Sequence, residues 1–145
     1  MLAVMWRLFI DRPRRGEDVR HVAGRRGEAA AARWLRRQCQ YRLLARNVRR
    51  GHDEADLLMR APDGAIIIVE VRSRACGARV IPEETVTPTK QRRLARLARR
   101  LITERSYLNA AVRFDVVAID LDAQTSRAAA IRHYPDAFPM PRSFS

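Results

Sequence analysis

The stretch D-E-A-D-L-L-M-R-A-P-D-G-A-I-I-I-V-E-V-R-S-R, Asp53 to Arg74, decides the fold. Pro62, Asp63 and Gly64 predict a turn, because proline presets φ and glycine supplies a positive φ. Glu54 to Met59 reads as a strand before the turn, and Ala65 to Arg72 as a strand after it, so the pair predicts a hairpin. Ala65 to Val69 is an unbroken apolar run, which marks a central strand buried on both faces. The same hairpin is acidic. Between Gly51 and Val71, Asp53, Glu54, Asp56, Asp63 and Glu70 face only Arg60, a net of −4. Strand periodicity puts Glu54 and Asp56 on one face, and Glu70 and Arg72 on one face of the next strand. Pairing of the strands makes carboxylates from both converge. Such a hard oxygen site suits Mg²⁺, which takes one or two carboxylates and keeps waters and phosphate oxygens. The bland alternative is that these acids pair with surplus arginine at the surface. Glu70 argues against it, because an idle charge ending so apolar a strand is costly.

Reading outward, Gly24 to Arg37 carries an alanine run with Trp34 and Leu35 and predicts a helix. Tyr41 to Val48 predicts a strand, and Ser73 to Val86 a loop. Pro88 to Arg105 predicts a long helix, with Leu94, Leu97, Ala98, Leu101 and Ile102 forming its apolar stripe. Val112 to Leu121 is a fourth strand and Ala128 to Tyr134 a fifth. The order is that of a mixed α/β domain with a central sheet flanked by helices.

The chain has 145 residues, enough for one domain, and a net charge of +13. Of its 29 basic residues 28 are arginine, and Lys90 is the only lysine. That balance predicts a polyanionic partner, nucleic acid first and an anionic membrane second. The surplus is local: Arg12 to Arg50 carries net +10, and Val86 to Tyr107 net +6. Arg92, Arg93, Arg96, Arg99 and Arg100 lie off the apolar stripe and make a basic helix face; the bland alternative is a solvated face. Peripheral membrane binding lacks a basic amphipathic helix with aromatic anchors. Cys39 and Cys76 are too few for a disulfide framework, and their spacing is not that of a metal site. No run spans a bilayer and no leader pattern opens the chain, so the expected location is the cytoplasm. The expected organisation is a flexible basic arm over 1–20, with Met5 as an alternative start, a domain over 21–138 and a disordered tail over 139–145. Trp34 and Phe114 read as core, Asp115 as a partner of Arg113 or a nearby cation, and His52 as a neighbour of the acidic cluster.

G-R-R-G-E-A-A-A-A-R-W-L (Gly24 to Leu35), R-N-V-R (Arg46 to Arg49), D-E-A-D-L-L (Asp53 to Leu58), I-V-E-V-R-S-R (Ile68 to Arg74), T-K-Q-R-R-L (Thr89 to Leu94), R-F-D-V-V (Arg113 to Val117) and D-A-F (Asp136 to Phe138) occur in order along the chain. Together they resemble the bacterial YraN-like family. That family is similar in fold to restriction endonucleases and archaeal Holliday-junction resolvases, which carry D…(D/E)-x-K on a hairpin. The resemblance implies a restriction-endonuclease-like mixed sheet. It also implies a nucleic-acid-binding protein that hydrolyses phosphodiesters in branched or structured DNA with Mg²⁺ or Mn²⁺. Resolvase-like proteins act as dimers, so a homodimer is an expectation of the same kind. By the resemblance Asp56 is the metal-binding aspartate, Glu70 the first acid of E-x-K, and Glu28 a further acid reaching the site. The expected ion ligands are Asp56, Glu70 and the Val71 carbonyl. The expected nucleic-acid contacts are Arg49, Arg50, Arg74, Arg92, Arg93 and Arg96.

The chain departs from the pattern twice. Asp53 stands where the family usually has glycine, and Arg72 stands at the lysine of E-x-K. Arginine keeps its proton in water and is no base, though it offers charge to a phosphate oxygen. Either activity is lost and a DNA- or RNA-binding interaction module remains, or another group replaces the lysine. Lys90, at the start of the second long helix, is the candidate: its ammonium is expected to approach the Asp56–Glu70 pocket.

Overall fold

The fold rests on a computed structural model, which describes residues 19–75 and 86–141. Helix α1 (Val19–Gln38) is followed by strands β1 (Arg42–Arg50), β2 (Asp53–Arg60) and β3 (Ile66–Ala75), then helix α2 (Pro88–Leu101) and strands β4 (Val112–Leu121) and β5 (Ala128–Phe138). The five strands form one sheet in the order β1-β2-β3-β4-β5. Only β3 and β4, joined through α2, run parallel; the other neighbours are antiparallel. This mixed sheet, with the element order α1-β1-β2-β3-α2-β4-β5, fits a restriction-endonuclease-like fold.

Two cores lie on the two faces of the sheet. On one, Leu94, Leu97, Ala98 and Leu101 of α2 pack on Ile66, Ile68, Phe114, Val116 and Phe138. On the other, Ala31, Ala32 and Leu35 of α1 pack on Leu57, Met59, Ile67, Val69, Val117 and Ile119. Ile66 to Val69 therefore feed both cores alternately and are all fully buried, as the apolar run predicts. The alanines let α1 lie close to the sheet. The β2–β3 turn forms as read: Asp63 Oδ1 accepts the Ala65 N–H (3.0 Å), and Gly64 holds φ +90°. At the β1–β2 turn Gly51 holds φ +64°, and a Cβ there would run into Arg100 Nη1, which donates to the Arg50 carbonyl at 2.8 Å.

The boundaries differ from the sequence expectation at several places; β1 runs on to Arg50, and β3 runs on to Ala75, into the loop expected from Ser73. Helix α1 begins at Val19, inside the arm expected over 1–20. Helix α2 opens with Thr87 accepting the Lys90 N–H and Pro88 in its first turn, but it stops at Leu101 rather than Arg105. There the Thr103 and Glu104 N–H groups turn back to Arg100 and Leu101, and a short 3₁₀ turn follows at Arg105–Tyr107. Strand β5 runs past Pro135 to Phe138, because an edge strand tolerates a proline. Asp136, at φ +53°, bulges there and lets Phe138 stack on Phe114 at 4.8 Å. The expected tail is held as far as Pro141: Met140 packs on the α2-side core and Arg99 donates to the Pro141 carbonyl. The remainder of the arm, Cys76 with most of its loop, and residues 142–145 lie outside the described residues. No helix among the described residues is long and apolar enough to cross a membrane.

Candidate functional site

The β2–β3 ladder runs from Arg60↔Ile66 only to Leu57↔Val69. Beyond it the two strands part. The side-chain alternation of β2 slips at the same place: Ala55 and Leu58 belong to the α2-side core, whereas Leu57 belongs to the α1-side core. Asp56 stands at this fork. Its Oδ2 accepts the Val71 N–H at 2.7 Å, so a side chain supplies the acceptor that the ladder no longer gives. Val71 thus enters the site through its N–H.

Glu70 follows at once on β3 and is buried, 4% exposed. Lys90 Nζ, from the first turn of α2, lies 3.1 Å from Glu70 Oε2, and Arg72 Nη2 lies 3.4 Å from Oε1. Lys90 is the donor nearest to Oε2 and forms an ion pair with it. Burial and then the Asp56 charge push the Glu70 carboxyl up to about 7, against the pull of Lys90 and Arg72. Burial likewise raises Asp56, opposed by the Val71 N–H and by Lys90 and Arg72. Glu28, on α1, is raised by burial and by Asp56, while Asn47 hydrogen-bonds its carboxyl. The Asp56 charge thus makes both Glu28 and Glu70 harder to ionise, and Asp56 itself is raised by burial and by the Glu54 charge.

The structure therefore brings together Asp56, Glu70, Arg72, Lys90 and the Val71 N–H, with Glu28 at the margin. Glu54 leaves the group: it is exposed and pairs with Arg49 at 2.7 Å. His52 is exposed on the turn. Asn47 escaped the sequence reading. It sits in β1 at φ +48°, a conformation asparagine tolerates, and its one sequence signal is its place within R-N-V-R. Asp115 takes Arg113 as expected, through both carboxylate oxygens (2.8 and 2.9 Å), and adds His133 Nε2 at 2.7 Å.

Among the described residues no three His, Cys, Asp or Glu side chains lie close enough together to hold an ion between them. The donor set is smaller: the buried Glu70 and the half-buried Asp56 carboxylates, both harder to ionise than usual, with the Lys90 ammonium beside them. It fits Mg²⁺ or Mn²⁺, which need one or two carboxylates with water completing the shell.

The expected nucleic-acid arginines are largely engaged. Arg49 pairs with Glu54, Arg50 with Glu104, Arg74 with Asp120 (2.6 Å), and Arg96 with Asp53 (2.8 Å). Arg92 donates to Thr89 Oγ1 at 3.2 Å, and Arg93 is exposed. Asp53, where the family pattern has glycine, is thus the buried partner of Arg96.

A family model described as "Uncharacterised protein family UPF0102" matches residues 27–119. The chain belongs to this family. A UPF0102 protein of Anaeromyxobacter dehalogenans is 43% identical over 122 residues, covering 83% of this chain and 87% of the relative. One of Geobacter sulfurreducens is 36% identical over 128 residues, covering 86% and 96%. The matched segment runs from Gly27 to Ile119 and holds Glu28, Asp56, Glu70, Arg72 and Lys90. Among solved structures, SfsA of Pyrococcus furiosus in complex with Ca²⁺ aligns with a TM-score of 0.39 and 14% identity, over 81% of this chain and 63% of that one.

Proposed function

We propose that this protein binds nucleic acid and hydrolyses phosphodiesters in branched or structured DNA, using Mg²⁺ or Mn²⁺ held by Asp56 and Glu70. The observation that carries the reading is the buried Glu70 carboxylate between Asp56 and Lys90, at the fork of the hairpin. A divalent ion there would supply a Lewis acid for the phosphoryl oxygen and lower the pKa of its water. The Val71 N–H fixes Asp56, and Glu28 lends a further carboxylate at the margin. Lys90 brings an ammonium that can donate to water or to a phosphate oxygen beside Glu70, and the Arg72 guanidinium offers further positive charge to a phosphate oxygen.

The test is cleavage of four-way-junction, single-stranded and duplex DNA with Mn²⁺. Parent activity should disappear in Asp56→Ala and Glu70→Ala while binding persists, and should fall strongly in Lys90→Met. Cleavage by both alanine variants at the parent rate would refute the assignment. Arg72 favours a second reading, a DNA- or RNA-binding module without catalysis, because it holds the lysine position and contacts Glu70. Binding without cleavage in the parent, with cleavage regained in Arg72→Lys, would establish that reading. Sedimentation with and without junction DNA tests the expected homodimer, and fractionation of cells the cytoplasmic location.

A further inference from the structure

Among the described arginines without an ion pair to a described residue, Arg26, Arg33, Arg36, Arg37 and Arg127 gather on the α1 side of the sheet, while Arg92 and Arg93 lie on α2. An open groove lies between α1, the middle of β1 and the β4–β5 turn. Arg26, Arg33, Arg36, Arg37, Arg46 and Arg127 line it, and all six are exposed. Among the described residues on its wall, Glu28 is the one acid. Arg46 feels that acid; Arg26, Arg33, Arg36, Arg37 and Arg127 make no ion pair with a described residue. On α2, Arg96 is bound to Asp53 and Arg100 to the Arg50 carbonyl, which leaves two exposed arginines without an acid, Arg92 and Arg93, against five in the groove. Cations clustered on one concave wall raise the local positive potential and concentrate polyanions.

Two further features fit a nucleic-acid strand. Trp34 packs on the α1-side core, as read from the sequence, yet stays only half-buried on the groove wall with His133 at its edge (centroids 5.8 Å apart), and the uncovered part of an aromatic in a cationic groove offers a base a stacking surface. The groove also reaches Glu28 and Asn47, and Glu28 is the carboxyl that senses Asp56. A phosphate backbone laid along the arginines therefore arrives beside the hairpin fork.

We infer that the α1 groove is the nucleic-acid track of this protein, with Arg33, Arg36, Arg37 and Arg127 as phosphate contacts, in place of the basic face of α2. This assignment rests on the nucleic-acid binding proposed above and adds where the strand lies. It moves the contacts away from Arg49, Arg50, Arg74 and Arg96, whose guanidinium groups already serve carboxylates. It leaves Arg92 and Arg93 outside the track.

The experiment is fluorescence anisotropy of the full chain with a fluorescein-labelled single-stranded oligonucleotide and its duplex, across a salt series. Arg33→Glu/Arg37→Glu is compared with Arg92→Glu/Arg93→Glu. Both pairs are exposed, and thermal melts check that each variant folds. The groove variant should bind at least about tenfold more weakly. Loss of two phosphate contacts should flatten its slope of log K against log salt by about 1.5. The α2 variant should stay within about threefold of the parent. Equal or greater loss in the α2 variant, or parent-like binding by the groove variant, overturns the groove while leaving nucleic-acid binding intact. A parent that binds neither oligonucleotide refutes the proposed function itself. If that parent instead sediments with phosphatidylglycerol vesicles, the groove belongs to a lipid surface and the inference fails.

Discussion

Glu70→Gln should stabilise the ion-free protein at alkaline pH. The ordinary glutamate value is 4.5, and in the folded chain this carboxyl sits at about 7 because of its burial and the charge of Asp56. The folded state therefore holds the proton more tightly than the unfolded state. Its stability contribution is fully present below about 4.5 and is lost as pH rises through about 7. The rise from 4.5 to about 7, at roughly 1.4 kcal/mol per pH unit, gives a penalty of at most about 3 to 3.5 kcal/mol above pH 7. Glutamine keeps the shape and removes the charge. It also costs Lys90 and Arg72 a counter-charge, but both retain contact with water, their side chains being 22% and 40% exposed. Urea denaturation followed by circular dichroism, in EDTA, should show Glu70→Gln more stable than the parent by up to about 3 kcal/mol at pH 8. The gap should close toward pH 4.5. A variant less stable than the parent at pH 8, or a gap independent of pH, would refute the reasoning.

Three further outcomes follow from the packing. Asp115 is buried and receives Arg113, His133 and the Asp136 N–H (3.1 Å), so Asp115→Ala leaves the half-buried Arg113 guanidinium without its carboxylate and should cost about 2–3 kcal/mol in denaturant unfolding. Burial alone would raise the Asp115 carboxyl, but the hydrogen bonds from His133 and Arg113 outweigh it and hold it below 3.8, so acid titration should remove its contribution only as pH falls through that region. Leu97→Ala empties the centre of the α2-side core and should cost about 2–5 kcal/mol by the same measurement. Gly51→Ala puts a side chain into left-handed backbone against Arg100 and should cost about 1–2 kcal/mol.

The central hairpin was legible because burial on both faces leaves a plain mark. Ile66 to Val69 could only be a covered strand, and Pro62 to Gly64 only a turn. The boundary of α1 was missed although Val19, Val22 and Ala23 fall at helical spacing, because Gly24 and Gly27 interrupt the pattern and read as punctuation. The extension of β5 past Pro135 was hidden by a residue that usually ends a strand, and only pairing with β4 explains it. In the site, Asp56 and Glu70 could be found from strand period and from the oddity of a charge after four buried residues. The approach of Lys90 was legible only as composition, a lone lysine in an arginine-rich chain; its contact with Glu70 depends on how α2 crosses the sheet. Pairing is the least readable property. Arg96 and Asp53 are 43 positions apart, and no local pattern shows that the one neutralises the other. The basic face of α2 therefore looked freer in the sequence than it is, and the α1 groove less distinct.

The central claim is that Asp56 and Glu70 together form a divalent-cation site. Titration of Mn²⁺ into the parent and into Glu70→Gln, with the free ion read by electron paramagnetic resonance at pH 8, tests it most directly. One ion should bind per parent chain and none to Glu70→Gln, whose fold the denaturation series checks independently. Equal binding by the two proteins, or no binding by the parent, would contradict it.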